Sequence, residues 1–280
     1  MTAPDAWPAP AKLNLMLRIV GRRSDGYHLL QTVFQFIDLC DSLFFSVRQD
    51  GVVRRVSLLP GVASADDLVV RAARLLQRDT ACSLGVDIHV DKRIPLGGGL
   101  GGGSSDAATT LVALNHLWRC GLDRARLMTL GLKLGADVPI FVHGRAAWAE
   151  GVGEALSDIE PATPVNLLLA PAVHVDTGIV FQDPELTRNS RRITIRDFLA
   201  GEQSNDFLPV VTKRYPAVRQ AFDWLSEKAE ARMTGSGSCV FAPCASRAEA
   251  QALLRQRPPE VAGFVVRGMN RSPLLDSVGG

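Results

Sequence analysis

The chain is short of lysine, of paired cysteine and of any long apolar run, and each shortage removes a class of protein. Only five of its 31 basic residues are lysines, no Lys/Arg run longer than a pair stands out, and the formal net charge is +2. That is too little for the clustered basic face of a nucleic-acid binder. No apolar stretch approaches the ~18–20 residues that span a bilayer, so no membrane partner is expected. The opening MTAPDAWPAPAK has no basic segment leading into an apolar block, as a secretory signal would. The five cysteines, Cys40, Cys82, Cys120, Cys239 and Cys244, form no CxxC pair. An odd, scattered set suits reduced thiols in a cytoplasm better than a disulfide frame or a zinc site. What remains is a chain of 280 residues, 46% apolar and 21% charged, long enough for one large domain or two closely joined ones.

Strands and helices alternate along it. Lys12–Val20 sets Leu13, Leu15, Leu17 and Ile19 at every second position, which predicts a strand with one buried face. Thr32–Val47 reads as two further β runs broken near Asp38–Ser42, and Asp67–Arg78 as a helix behind an acidic start. Gly85–Val90 reads as a short strand leading through Lys92–Pro95 into a glycine run. Ser105–Trp118 is the clearest helix: Ser104 or Ser105 as N-cap, Asp106 in the first turn, and Ala107, Leu111, Leu114 and Trp118 as a buried stripe. The next helix runs from an Asp123 cap to a Gly135 stop. A break at Leu156–Pro164 sets the expected domains at 1–160 and 161–280. The second half predicts a helix near Ala217–Ala231, a turn at Gly235–Ser238 and a strand at Gly263–Arg267.

The glycine run carries the chemistry. Residues 97–103 hold six glycines in seven positions, followed by Ser104, Ser105 and a helix start. Without Cβ atoms the backbone can bring its amides up to a ligand, and the helix start adds free N–H groups and a positive dipole end. Phosphate is the natural guest. A Walker A loop is excluded, because no lysine follows Gly103. Gly97, Gly99 and Gly102 match GxGxxG, but in so dense a run the match is nearly automatic. Asp123, where a ribose-binding acid would stand, lies between two helical stretches rather than ending a strand.

The segment from Pro95 to Thr109 resembles the phosphate-binding motif of the GHMP kinases, whose ATP lies against a glycine-serine loop. Pro10-Ala-Lys-Leu-Asn-Leu15 is similar to the first motif of that family, and Thr234-Gly-Ser-Gly-Ser-Cys239 to its third. Gly21-Arg-Arg-Ser-Asp-Gly-Tyr-His28 and Gly268-Met-Asn-Arg-Ser-Pro-Leu274 agree with the member that acts on a cytidine diphosphate-linked alcohol, as does the doubled glycine block. The matches keep the family order from about residue 8 to 274. The resemblance implies a two-domain α+β GHMP-kinase fold, with a ribosomal protein S5 domain 2-like N-terminal domain and a ferredoxin-like C-terminal domain. It implies ATP-dependent phosphorylation of the 2-hydroxyl of a cytidine diphosphate-linked methylerythritol in non-mevalonate isoprenoid synthesis. ATP and Mg²⁺ are the implied cofactors, with the metal ligands unassigned, and the chain is expected as a monomer or homodimer.

The same resemblance assigns roles. Asp137, in Gly135-Ala-Asp-Val-Pro139, is the implied catalytic base, although its local segment by itself favours a turn or cap acid. Lys12 is the implied charge-stabilising partner, although a strand lysine ordinarily snorkels to solvent. Pro95, Gly97, Gly98, Gly99, Leu100, Gly101, Gly102, Gly103, Ser104 and Ser105 are expected to hold the triphosphate, with Lys92 flanking the adenine. Asn14, Tyr27, His28, Thr177, Phe181 and Asp137 are expected on the substrate side, with His28 reading the cytosine edge and Phe181 stacking on its face. Gly235–Ser238 is expected to close over the phosphates. Asp106 stands in tension with a triphosphate beside it, and Asp67 leaves the adenine contacts open.

Overall fold

The computed structural model describes residues 6–58 and 66–277. Two long strands, β1 (Trp7–Arg22) and β2 (His28–Arg48), form an antiparallel hairpin whose pairing shifts at Pro10/Lys12, Asn14/Met16 and Ile19/Gly21. Such irregularities re-aim side chains, and Lys12 and Asn14 sit at them. The break expected at Asp38–Ser42 does not occur. Cys40, Asp41 and Ser42 pair with Pro10, Ala9 and Pro8, so tertiary pairing overrides the local polar signal.

The chain continues through β3 (Val53–Arg55), α1 (Leu68–Asp79) and β4 (Gly85–Asp91). Asp67 caps α1 by accepting from Val69 N at 3.0 Å. Helix α2 (Gly102–Leu117) starts earlier than expected, inside the glycine run, with left-handed Gly101 at its N-cap position. Ser104 and Ser105 therefore lie within the helix. Ser105 donates its hydroxyl to Pro10 O at 2.7 Å, which ties α2 to β1. Ala107, Leu111, Leu114 and Trp118 are buried as anticipated.

Asp123 caps α3 (Arg124–Leu132), which ends before Gly135; Gly135 N still bonds to Gly131 O. Next come α4 (Val138–His143), β5 (Ala147–Glu150), β6 (Ala155–Asp158), β7 (Val165–Ala170), α5 (Thr177–Gln182) and α6 (Ile195–Leu199). The last elements are α7 (Leu208–Arg214), α8 (Pro216–Ser226), β8 (Arg232–Met233), β9 (Val240–Cys244), α9 (Arg247–Gln256) and β10 (Ala262–Met269). The expected helix at 217–231 is α8, which stops at Ser226.

Strands run in the order β3-β4-β2-β10-β7-β9-β8, with β1 and β5 paired to β2 and β6 to β5. The part β10-β7-β9-β8 is antiparallel throughout, with helices between β7 and β8 and between β9 and β10, the β-α-β-β-α-β pattern of a ferredoxin-like unit. It joins the first half through Gly268↔Ile37 and Met269↔Phe36. Strand β1 feeds three apolar clusters: Ala9 packs under the first helices, Leu13 and Met16 in the middle, and Leu17 and Ile19 against the second half. The strand that carries Lys12 and Asn14 is thereby held along its whole length.

Candidate active site

Alternation along β1 sends Leu13 into the apolar interior and turns Lys12 and Asn14 to the opposite face, toward a cleft of about 930 Å³. Lys12 is 3% exposed. Its ammonium donates to Asn14 Oδ1 at 2.5 Å and Gly99 O at 3.0 Å, and lies 3.3 Å from Asp137 Oδ2. Asn14 in turn donates Nδ2 to Thr32 Oγ1 at 2.8 Å, and its backbone N–H to Thr234 Oγ1 at 2.9 Å. Asp137 occupies the N-cap position of α4, yet its side chain makes no capping bond and is 37% exposed. A carboxylate released from that structural task faces the cleft beside a buried cation, the arrangement that proton transfer from an alcohol requires.

The glycine loop forms the adjoining wall. Gly97, Gly99 and Gly101 line the cleft. A Cβ on Gly99, which has φ +74°, would lie 2.5 Å from Thr234 O and 2.8 Å from Gly237 O, so only glycine fits against the turn at 234–238. The amides of Gly102, Gly103 and Ser104 open α2 with no capping side chain, which leaves them free for an anion. Gly103 is exposed and Ser104 half-buried, whereas Gly98, Leu100 and Ser105 are buried and shape the loop from behind. Pro95 is half-buried at its entry. Cys239 packs against Gly98, and burial pushes its thiol up to about 12, which makes it inert.

Lys92 is turned elsewhere. Its ammonium bonds Asp41 and, at 2.7 Å, Asp106, and it does not line the cleft. Burial pushes the Asp106 carboxyl up to about 7 against the pull of Lys92, and its Oδ1 has no partner among the described residues. Asp67 faces Arg55 at 2.9 Å.

At the other end, His28 stacks on Phe181, with centroids 4.6 Å apart and planes 18° from parallel. Phe181 rests edge-on against Phe207 at 4.9 Å. Tyr27 is 65% exposed at the rim. Burial, followed by the charges of Arg188 and Arg22, lowers the His28 pKa, and its Nε2 is buried with no partner among the described residues. A neutral ring with one unpaired nitrogen suits the edge of a nucleobase. Thr177 also lines the cleft and bonds Ser236 Oγ at 2.7 Å, linking α5 to the Gly/Ser turn.

Lys12, Asn14, Gly97, Gly99, Gly101, Tyr27, His28, Asp137, Thr177 and Phe181 thus share one cleft. Sequence reasoning missed Arg188, whose guanidinium bonds Phe181 O at 2.8 Å and Asp183 O at 2.7 Å. It lies in an irregular segment with no periodic signal. His174, which stands 2.5 Å from the position of a Cβ on Gly97, was missed for the same reason.

Residues 67–145 match the GHMP kinases N terminal domain and residues 185–260 the GHMP kinases C terminal domain. The chain belongs to the GHMP kinases, a family of phosphotransferases that use ATP as phosphate donor. Within it, the relatives named 4-diphosphocytidyl-2-C-methyl-D-erythritol kinase stand near. One from Nitrosococcus oceani is 57% identical over 270 residues, 96% of each chain. Another, from Pseudomonas fluorescens, is 55% identical over 275 residues, 98% of this chain and 97% of its own. A crystal structure of 4-(cytidine 5'-diphospho)-2C-methyl-D-erythritol kinase superposes with TM-score 0.79 at 31% identity, covering 95% of this chain and all of that one. The mevalonate kinase of Methanococcus jannaschii, at 14% identity and TM-score 0.70 over 96% of this chain and 99% of that one, shares the fold.

Proposed function

We propose that the chain transfers the γ-phosphoryl group of ATP to the 2-hydroxyl of 4-diphosphocytidyl-2-C-methyl-D-erythritol, a step of isoprenoid precursor synthesis. The observation that carries the reading is the contact between Lys12 and Asp137 at 3.3 Å, in the same cleft as the glycine loop and the His28–Phe181 stack. The 2-hydroxyl oxygen forms the new bond to γ-phosphorus as the bond to the β-phosphate oxygen breaks and ADP leaves. Asp137 takes the hydroxyl proton. Lys12 stands beside Gly99 O and Asp137, where it meets the negative oxygens of the transferred group. Phosphoryl transfer asks mainly for this kind of positioning and charge.

The triphosphate lies along the loop from Pro95 to Ser105, under the turn at Gly235–Ser238. His28 reads the cytosine edge, Phe181 and Tyr27 offer ring faces, and Asn14 and Thr177 complete the substrate wall. Among the described residues no group of three or more His, Cys, Asp or Glu side chains could hold a metal by itself. The residues fit a Mg²⁺ held mostly by phosphate oxygens and water, with Asp137 as the carboxylate near the loop. It would supply neutralising charge to the phosphates.

We divide the chain at about residue 160 and expect a monomer or homodimer in the cytoplasm. The cytoplasmic setting accords with five unpaired cysteines. Among the described residues no helix is long and apolar enough to cross a membrane.

The test is ADP release from Mg·ATP with the cytidyl substrate, mevalonate, homoserine and galactose in parallel. Turnover confined to the cytidyl substrate supports the reading. Turnover with another alcohol keeps the kinase and removes this substrate. ATP binding without turnover on any of the four would sink the catalytic assignment.

A further inference from the structure

Asn205 lies outside every motif discussed above, in the irregular stretch before α7. Its backbone is fixed beside the strand that carries Lys12 and Asn14: Leu17 N donates to Ser204 O and Asp206 N to Leu17 O, both at 2.9 Å. The Asp206 carboxylate adds a second tie, accepting from Ile19 N at 2.7 Å.

From that anchored position the side-chain amide serves two walls of the cleft. Its Nδ2 donates to Met233 O at 2.8 Å and Gly235 O at 2.9 Å, the carbonyls at the start of the Gly/Ser turn. Its Oδ1 accepts from Phe207 N at 2.9 Å. The partners settle which end of the amide is which, since two carbonyls demand the donor and an N–H demands the acceptor.

Each wall leads to a different part of the site. The turn packs on Gly99, whose carbonyl accepts from Lys12 and from Thr234 Oγ1 at 3.3 Å. Phe207 supports the edge of Phe181. We infer that Asn205 is a positioning residue: its amide nitrogen holds the turn over the phosphate loop, and its amide oxygen holds the ring that backs the nucleobase wall. The inference rests on the proposed reading for the nucleobase half and on the ATP use of the family for the phosphate half.

The two atoms can be separated. Asn205→Asp and Asn205→Ser each keep an oxygen for Phe207 N and remove both amide N–H donors to the turn, one with a new charge and one with only a hydroxyl on a shorter side chain. Asn205→Ala removes everything. ATP affinity is titrated directly on each full-length variant, alongside KM for both substrates and a thermal melt. We expect the Asp and Ser variants to weaken ATP by about five- to tenfold while KM for the cytidyl substrate stays within about twofold. The Ala variant raises both.

An ATP affinity within about twofold of wild type in both the Asp and Ser variants overturns the inference. So does a parallel rise of both KM values in those two, which is what loosened packing alone would give. If the wild-type chain turns over a different alcohol, the substrate reading fails, whereas the ATP titration of the Asp and Ser variants still decides the role of the amide nitrogen.

Discussion

Replacing Lys12 by methionine keeps the unbranched stem to within one atom and removes its charge. Lys12 is 3% exposed, and its ammonium meets Asn14 Oδ1, Gly99 O and Asp137. After the change Asp137, 37% exposed, takes up water, and Gly99 O retains Thr234 Oγ1 at 3.3 Å. Asn14 Oδ1 alone is left buried without a donor, a loss of roughly 1–3 kcal/mol. Relief from burying an ammonium offsets part of it, since apolar replacement of buried ion pairs is often close to neutral. The fold therefore survives, with a Tm lower by less than about 10 °C. Catalysis suffers more: removing one preorganised charge-stabilising donor lowers kcat by about 10²–10³.

Arginine does not rescue it. A planar guanidinium cannot reproduce the contacts that the compact ammonium makes at one point with Asn14 Oδ1, Gly99 O and Asp137. ADP release at saturating substrates, paired with a melt followed by circular dichroism, reads both effects. A folded Lys12→Met protein that keeps more than about a tenth of wild-type kcat would refute the electrostatic role.

Asp137→Asn should remove about 10²–10⁴ of turnover and lower Tm modestly, because the side chain caps nothing but the buried Lys12 ammonium loses the carboxylate 3.3 Å away; near-normal turnover would remove it as the base. Phe181→Ala should raise KM for the cytidyl substrate by the equivalent of ~1–3 kcal/mol of lost stacking and leave KM for ATP close to wild type. Equal effects on both would mean the ring is only packing. The His28 pKa is lowered from 6.5, so the imidazole stays neutral in the folded chain where a free one is already protonating. The unfolded chain then binds more protons, and the stability due to this group is full above 6.5 and declines as pH falls below it. Arg188→Met removes one of the charges that lower it, and should move the His28 titration, followed by NMR, toward higher pH. An unchanged titration would show that Arg188 does not act on the ring.

Lys12, Asn14 and the glycine run were legible because each belongs to a short run whose order reflects a local need. Gly97 to Gly103 must bend where a side chain cannot go, and Lys12 and Asn14 share a face by strand alternation. What was not legible depends on distant partners. The polar stretch Asp38–Ser42 looks like a break until β1 and β4 supply its hydrogen bonds. Ser105 looks like a cap until Pro10 O, 95 residues away in sequence, takes its hydroxyl. Asn205 acts by bonding the carbonyls of Met233 and Gly235, which only the folded chain brings near, and Arg188 bonds those of Phe181 and Asp183 from an irregular segment without periodicity.

Lys92 shows the same dependence with a chemical consequence. Two carboxylates, Asp41 and Asp106, share its ammonium behind the glycine loop. Asp41 is fully buried and also accepts from Arg93 N and Ile94 N at 2.6 and 2.9 Å, so it fixes the backbone that enters the loop. Asp106, pushed up to about 7 by burial, is partly protonated near neutral pH. The cluster therefore carries little net charge, and an acid in the first turns of α2 does not cancel the helix dipole that faces an anion. With Lys92 engaged there, the cations on the described cleft wall are Lys12 beside Gly99, and Arg22 and Arg188 around His28. Of these, Lys12 is the one positioned at the glycine loop, and among the described cleft residues no neighbour can cover its loss.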